Sequence, residues 1–233
     1  MGRVCVITGA SQGIGRATAI RMSQEPDVSA LVLIARSATG LEGTAAAMEP
    51  GKQVELIAYD LMDLDGIPDL VRRVHDRFGS IDILLNIAGY ADPQSLLDTD
   101  AENIVKTYTI NVFAMLLLIR ETARYMYDRP TKILNVASTA GITSRPGWLA
   151  YASSKAAVVS LSATLADELA GSGIRIYSIS PGRTATELRR KLAPEEDPAS
   201  IMQPGQVADV IAQLMRDTEV TLDGQNIIVR TRA

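Results

Sequence analysis

The sequence predicts a single doubly wound α/β domain, a parallel sheet of about seven strands flanked by helices on both faces. Three observations carry this expectation. Short apolar runs rich in β-branched residues alternate with longer segments of helical periodicity along the whole chain. The first apolar run leads at once into a glycine-rich turn and a helical stretch, the strand–turn–helix order in which backbone N–H groups face an anion. No linker, repeat or low-complexity stretch interrupts the alternation, so residues 1–233 read as one domain.

The first strand is expected over 3–7, where Val4-Cys5-Val6-Ile7 is apolar and mostly β-branched. Thr8-Gly9-Ala10-Ser11-Gln12-Gly13-Ile14-Gly15-Arg16 follows and opens a helix over 14–23. Its glycines are spaced T-G-x-x-x-G-x-G, not the G-x-G-x-x-G of the general dinucleotide fingerprint, but the geometry suits a pyrophosphate. The second strand (30–35) precedes a helix over 40–48. The third strand (54–58) ends just before Asp60-Leu61 and a helix over 64–78. The fourth strand (81–86) runs into Asn86-Ile87-Ala88-Gly89 and the longest helix, 101–127. A fifth strand (132–137) stops at Ser138, and a helix over 151–171 opens with Tyr-Ala-Ser-Ser-Lys. A sixth strand (174–179) leads to Pro181-Gly182-Arg183-Thr184-Ala185-Thr186; a helix over 206–216 and a strand over 226–230 close the pattern. The strands are apolar on both faces, as a parallel sheet covered on both sides requires.

Composition excludes several classes. The chain is 47% hydrophobic and 21% charged, values of a soluble globular protein. Its longest uninterrupted apolar run, Val112 to Ile119, is far short of the roughly 20 residues of a membrane helix, so no membrane partner is expected. The N-terminus enters the first strand directly, without the pattern of a signal peptide. One cysteine, Cys5, cannot form an internal disulfide and suits a reducing cytoplasm. With one Cys and one His, neither a zinc site nor a Ser-His-Asp triad can be assembled in the usual way, and no metal is expected. His75, on a polar helical stretch beside Arg72, Arg73 and Arg77, reads as a solvated surface residue. A net charge of −4 gives no basis for nucleic-acid binding.

Chemistry is concentrated in Tyr151, Lys155 and Ser138. Tyr151 and Lys155 stand one helical turn apart, on one face. A free Tyr, with a pKa of roughly 10, is a poor acid–base group near neutrality, and a fixed cation favours its phenolate. Ser138 is placed to hold the same substrate oxygen as a neutral hydrogen-bond partner. Taken with the glycine-rich turn, these pieces resemble the short-chain dehydrogenase/reductase family, over nearly the whole length from Met1 to about Val229. The resemblance rests on six motifs in the family's order: the T-G-x-x-x-G-x-G turn, Asp60-Leu61, Asn86-Ile87-Ala88-Gly89, Asn111, the Ser138/Tyr151/Lys155 set, and Pro181 to Thr186. Ile87 replaces the second Asn of the family's N-N-A-G.

The resemblance implies a Rossmann-type fold and a catalytic tetrad of Asn111, Ser138, Tyr151 and Lys155. It implies a dinucleotide held by Gly9, Ser11, Gln12, Gly13, Ile14, Gly15, Asp60, Leu61, Asn86, Ala88, Gly89, Tyr151, Lys155, Pro181, Gly182, Thr184 and Thr186. Asp60 would lie by the adenine ring, and Pro181 to Thr186 by the nicotinamide carboxamide. Tyr151 would give a proton to a carbonyl oxygen oriented by Ser138 while a hydride reaches the carbon. Lys155 would lower the Tyr151 pKa and hold the nicotinamide ribose, and Asn111 would position a water linking Lys155 to solvent.

Cofactor choice is read from the end of the second strand. NAD-selecting relatives of this architecture place a carboxylate there for the ribose 2′-hydroxyl. This chain has Ala35-Arg36-Ser37, and the Arg36 fork with the Ser37 hydroxyl suits a 2′-phosphate. NADP(H) is therefore preferred, with NAD(H) possible, because Gln12 stands where some NADP-using relatives carry a second basic residue; Arg16 would partly substitute. The expected activity is NADPH-dependent reduction of a small-molecule carbonyl. Two alternatives stay open: an NAD-dependent alcohol or polyol dehydrogenase working oxidatively, and a non-catalytic dinucleotide-binding regulator.

The substrate is less legible. The pocket is expected from Thr139-Ala140-Gly141-Ile142, Pro146-Gly147-Trp148-Leu149, Tyr90-Ala91-Asp92 and a lid over 183–205. Trp148 walls the site or packs in a subunit interface. The cluster Arg183, Arg189, Arg190 and Lys191 signals an anionic substrate, or is a solvated face balanced by Glu187, Glu195 and Glu196. The helices over 101–127 and 151–171 are too apolar for one buried stripe, so a homodimer or homotetramer is expected. The D-G-G that often follows the family's last strand is missing from Arg230-Thr231-Arg232-Ala233, which weakens the tetramer.

Overall fold

The computed structural model describes residues 2–231; Met1, Arg232 and Ala233, included above in the domain and the C-terminal tail, lie outside the described residues. Seven strands form one all-parallel sheet: β1 (Arg3–Thr8), β2 (Val28–Ala35), β3 (Gln53–Ala58), β4 (Ile83–Asn86), β5 (Thr131–Val136), β6 (Ile174–Pro181) and β7 (Asn226–Val229). Their spatial order is β3-β2-β1-β4-β5-β6-β7. The chain leaves β1 toward one edge and returns to β4 on its other side, so a crevice opens at the carboxyl ends of β1 and β4. This is the Rossmann-type arrangement the sequence predicts.

The helices are α1 (Gly13–Ser23), α2 (Ala38–Ala45), α3 (Ile67–Phe78), α4 (Ala101–Tyr108), α5 (Ala114–Met126), α6 (Leu149–Glu168), α7 (Glu187–Leu192) and α8 (Pro204–Met215). The period of two along each strand sends alternate residues to opposite faces. Val4 and Val6 of β1 join a core with α3, α5 and α6, while Cys5 and Ile7 join a second core with α1, α2 and α8.

Edge strand β3 departs from the expectation of two apolar faces. Its exposure alternates, and its buried Glu55 accepts from Arg73 at 2.7 Å and pairs with Arg77, both on α3. His75 also differs from expectation: it is only partly exposed and stacks on Tyr125, ring centroids 4.1 Å apart.

The expected helix over 101–127 is a single helical run interrupted by one π turn, Thr109–Phe113. Among the described residues this run, Ala101–Met126, is long and apolar enough by length and composition to cross a membrane, yet 56% of its most apolar window is buried within the protein. Its sheet-facing side packs Ala114, Met115, Leu118 and Ile119 into the first core.

Lys132 lies inside β5, 3% exposed. Its ammonium donates to the carbonyls of Leu214 (2.9 Å), Arg216 (2.5 Å) and Glu219 (2.8 Å). A helix leaves its last carbonyls without intrahelical partners, and a cation there also opposes the helix dipole. Lys132 thus fastens the end of α8 to the floor of the sheet.

Candidate active site

A cleft of about 700 Å³ opens at the carboxyl ends of the strands. It runs from the glycine-rich turn between β1 and α1 to the segment that follows β6.

At one end the backbone is built for close approach. Gly9 has φ +70°, and a Cβ there would meet the Ala88 backbone N at 2.9 Å. A Cβ on Gly15 would stand 2.1 Å from the Gly9 carbonyl oxygen, so neither of these two positions tolerates a side chain. The Gln12 N-cap of α1 makes no side-chain hydrogen bond, leaving the first N–H groups of the helix open to the cleft. Thr8 Oγ1 accepts from the N–H groups of Ile87 (3.0 Å) and Ala88 (3.2 Å), tying the ends of β1 and β4 together. These features fit a pyrophosphate, and Ser11, Gln12, Gly13 and Ile14 line the same end.

Arg36 and Ser37 follow β2 at the rim of that end, both exposed and lining the cleft. Ser37 Oγ accepts from the Gly40 N–H at 3.1 Å and so caps α2, whereas Arg36 enters no ion pair among the described residues. Asp60 and Leu61 line the opposite wall, Asp60 accepting from Met62 N–H at 3.0 Å. Arg16 lies outside the cleft lining and points toward the Gly43 carbonyl, 3.5 Å away, so it does not substitute for the basic residue missing at Gln12.

Tyr151 and Lys155 rise from the first two turns of α6 into the centre of the cleft, 9% and 4% exposed. Ser138 caps a short 3-10 turn by accepting from Ala140 N–H at 3.1 Å, which leaves its hydroxyl proton for the Tyr151 phenol or a substrate oxygen. Burial raises the Tyr151 phenol above its ordinary pKa, and the hydrogen bond with Ser138 pulls the other way. Lys155 donates to the Val136 carbonyl at 2.8 Å, and its Nζ lies 6.0 Å from the centre of the Tyr151 ring. Burial brings the Lys155 ammonium down to about 8. The expected lowering of the Tyr151 pKa by Lys155 is therefore not what the protein produces by itself: desolvation dominates, and the phenol stays protonated at neutral pH.

Two expected residues stand apart from the cleft. Asn86 ends β4 with its side chain turned into the sheet layer, where Nδ2 donates to Asn135 Oδ1 at 2.9 Å; Ile87 and Ala88 face the cleft instead. Asn86 is therefore a structural residue rather than a wall of the cofactor site. Its Oδ1 has no protein partner and borders a cavity of about 10 Å³, room for one water, also lined by Thr8, Asn111 and Lys155. Asn111 likewise lies behind the cleft. Its Oδ1 accepts from Tyr90 N–H (2.8 Å), and its Nδ2 donates to the Tyr90 carbonyl (2.9 Å) and to Ser154 Oγ (2.9 Å). With its side chain so committed, Asn111 positions the Tyr90 backbone and α6, and the π turn at Thr109–Phe113 aims it there.

The far end of the cleft is lined by Thr139, Ala140, Pro146, Trp148 and Tyr90, as expected, but not by Gly141, Ile142, Gly147, Leu149, Ala91 or Asp92. Ser144 and Arg145, absent from the sequence reading, take part. Their signal was Arg145-Pro146-Gly147-Trp148: Trp148 N–H donates to the Arg145 carbonyl at 3.0 Å and Gly147 has φ +79°, a type II turn.

Pro181, Gly182, Thr184 and Thr186 line the cleft as the chain leaves β6, and Thr186 Oγ1 caps α7 by accepting from Arg189 N–H at 3.1 Å. The stretch expected as a lid contains α7 and closes on itself. Ala185 N–H donates to the Met202 carbonyl (2.8 Å), and Glu196 accepts from Arg189 (2.6 Å) and Arg183 (3.1 Å). Arg190 pairs with Glu187. Three of the four basic residues are thus paired, with Glu187 and Glu196, while Lys191 and Glu195 enter no ion pair among the described residues.

Residues 3–197 match the family model described as short chain dehydrogenase. The chain belongs to the short-chain dehydrogenase/reductase family. It is 32% identical to the 3-oxoacyl-(acyl-carrier-protein) reductase of Thermotoga maritima over 97% of this chain and 95% of that protein. It is 33% identical to the NADP-dependent 3-hydroxy acid dehydrogenase of Schizosaccharomyces pombe, over 80% of this chain and 73% of the relative. Among solved structures, NAD+-bound xylitol dehydrogenase superposes with a TM-score of 0.86 at 28% identity, each chain 98% covered. As a short-chain dehydrogenase/reductase, the protein is an NAD(P)-dependent oxidoreductase of Rossmann fold, from a family that acts on small molecules and usually forms oligomers.

Proposed function

We propose that this short-chain dehydrogenase/reductase reduces a carbonyl of a small-molecule substrate to the alcohol, using NADPH. The observation that carries the reading is the convergence of a buried Tyr151 phenol, the Ser138 hydroxyl and the Lys155 ammonium at the centre of a cleft whose other end is an uncapped, glycine-rich helix N-terminus.

The glycine-rich turn, Arg36, Asp60, Ala88, Gly89 and the Pro181–Thr186 segment would hold the dinucleotide, which would supply the hydride when bound. Ser138 orients the substrate oxygen by donating its hydroxyl proton, which its cap to Ala140 leaves available. Tyr151 delivers a proton from its phenol to the same oxygen as negative charge develops there. Lys155, fixed by Val136, keeps a positive charge beside the phenolate that remains and so stabilises the product of that transfer. Asn111 acts at one remove, through Tyr90 and Ser154. Arg36 supports NADPH over NADH because its exposed guanidinium, free of protein carboxylates, attracts a phosphate monoester where NAD-selecting sites place an acid. A preference for NADPH in turn supports the reductive direction.

We also read the protein as a homodimer or larger homo-oligomer. Ile104, Val105, Phe113 and Leu149 are 44%, 58%, 47% and 57% exposed, and a Tyr108–Ser153 hydrogen bond of 2.9 Å joins α4 to α6 between them. A panel of ketones, diketones, acyl thioesters and sugar phosphates, each with NADPH and NADH, tests the activity. Turnover of at least one carbonyl with NADPH is expected. No turnover of any would overturn the catalytic reading in favour of a dinucleotide-binding regulator, and faster alcohol oxidation with NAD+ would overturn the direction.

A further inference from the structure

Five basic side chains line the cleft against two acidic ones, in a chain whose net charge is −4. Four of the five are accounted for. Lys155 belongs to the catalytic set, Arg36 to the dinucleotide end, and Arg183 and Arg189 are both bound by Glu196. The fifth, Arg145, enters no ion pair and no side-chain hydrogen bond among the described residues, yet it faces the substrate end.

Its side chain is exposed, but the backbone that carries it is held in a defined turn. Arg145 is the first residue of the type II turn closed by Pro146, Gly147 and Trp148. Pro146 fixes its own φ, and Gly147, at φ +79°, adopts the conformation the third turn position demands. The turn ends on Trp148, whose ring meets Tyr151 edge-on with centroids 5.8 Å apart. The backbone that carries Arg145 is thus referenced to the proton donor through three residues. Arg145 is exposed at the mouth of the cleft, which Ala140, Pro146, Trp148 and Leu188 also line. An unpaired guanidinium there can meet an anion without first giving up a protein carboxylate.

We propose that Arg145 is the recognition group for an anionic substituent on the carbonyl substrate, which makes the substrate class an oxo acid or an oxo compound bearing a phosphate. This rests on the carbonyl-reductase reading and narrows it. The planar fork matches a carboxylate or phosphate in two parallel hydrogen bonds, and a neutral ketone gains nothing from it.

The test uses two matched pairs: acetoacetate with its neutral methyl ester, and hydroxyacetone phosphate with hydroxyacetone. Trp148, the only tryptophan, reports binding by its fluorescence whether or not turnover occurs. Wild-type protein saturated with NADP+ should bind the anionic member of at least one pair on the order of ten- to a hundredfold more tightly. The pair with the larger ratio separates carboxylate from phosphate. Arg145→Gln should bring that ratio to near one, Arg145→Lys should restore part of it, and added salt should shrink it in the wild type. Equal affinity within both pairs, or no fluorescence response to either anion at millimolar concentration, overturns the proposal without any variant. A ratio unchanged in Arg145→Gln overturns the residue assignment. Turnover of neutral ketones without anion preference sinks this inference and leaves the reductase standing, whereas preferential anion binding without turnover does the reverse.

Discussion

The Trp148 indole stands edge-on to the Tyr151 ring, centroids 5.8 Å apart and planes at 67°, so the proton donor is packed by a residue of the same turn that shapes the substrate end. This fixes the phenol by its ring and leaves its hydroxyl for chemistry. Tyr151→Phe keeps the ring, its burial and the Trp148 contact. It should therefore melt within a few degrees of wild type and bind NADPH comparably, while turnover falls about 10²–10⁴-fold. Calorimetry and steady-state rates together check it; retention of more than a tenth of the wild-type rate would remove Tyr151 from its assigned role.

Activity and stability should part company above pH 8. Burial brings both Lys155 and Lys132 from 10.5 down to about 8 in the folded chain. Between those values the two lysines hold more protons in the unfolded chain than in the native one. They face one opposing group, the buried Cys5 thiol, which keeps its proton in the folded chain above about 9, so stability rises with pH there. Over the same window Lys155 loses the charge that stabilises the Tyr151 phenolate, so carbonyl reduction declines. Tyr151, raised by burial, stays protonated through neutral pH and begins to act against stability only above about 10. Rates and melting temperatures measured from about pH 6 to about pH 10 should diverge. A rate loss that follows a falling melting temperature would contradict this.

Much of the fold was legible because two periodicities and one turn carry it. Alternating strand residues such as Val4/Val6 and Cys5/Ile7 sort themselves onto opposite cores, and Gly9 and Gly15 can be read as the two points of the turn that must lack a side chain. The six-residue α7 was invisible, being charged on most sides and held by the Thr186 cap and the Arg189–Glu196 pair. The π turn around Asn111 leaves the apolar pattern of the long helix almost unchanged, so no periodicity signals it. Asn86 shows what a motif position conceals: its pleat direction, not its place in N-I-A-G, sends the side chain to Asn135. Arg145 carries no sequence signal of its own, whereas Arg183 and Arg189 stand in a cluster of charge whose partner, Glu196, lies 13 and 7 residues away across a loop.

Arg36→Asp should reverse cofactor preference. The substitution removes a charge-assisted donor for the 2′-phosphate and adds a repelling carboxylate that suits a free ribose 2′-hydroxyl. The NADPH-to-NADH affinity ratio should fall by on the order of ten- to a hundredfold. Titration of both dinucleotides against wild type and variant decides the matter. A wild type that binds NADH as tightly as NADPH would refute the role of Arg36.

Lys132→Met keeps the aliphatic stem within β5 but takes away the donor shared by the carbonyls of Leu214, Arg216 and Glu219. The buried Leu214 carbonyl would lose its side-chain donor, while the Arg216 and Glu219 carbonyls would keep only the Glu219 N–H and the Tyr177 hydroxyl, at a cost of about 1–3 kcal/mol. The denaturant midpoint should drop accordingly, and amide exchange should speed up first at the end of α8. A midpoint within experimental scatter of wild type would show that the clamp contributes nothing net.

Light scattering addresses the association of subunits. On α4, the π turn and α6, the exposed Ile104, Val105, Phe113 and Leu149 surround the Tyr108–Ser153 hydrogen bond, and Tyr108 also packs against Phe113 with centroids 6.3 Å apart. These residues share one side of the molecule, away from the sheet, where water would otherwise meet a largely apolar surface. A two-fold axis through this face would bring each helix against its own copy and bury the patch on both subunits at once. The same helices carry Tyr151 and Lys155 on their inner side, so pairing would stiffen the catalytic wall from behind. Charge placed in the centre of the patch, as in Val105→Glu, should repel its symmetry mate and weaken association at least tenfold while leaving the monomer's core untouched. At micromolar concentration the wild type should show a mass of at least two chains, and the variant should move toward the 25.0 kDa of one. A wild-type mass of a single chain at that concentration would refute the pairing outright.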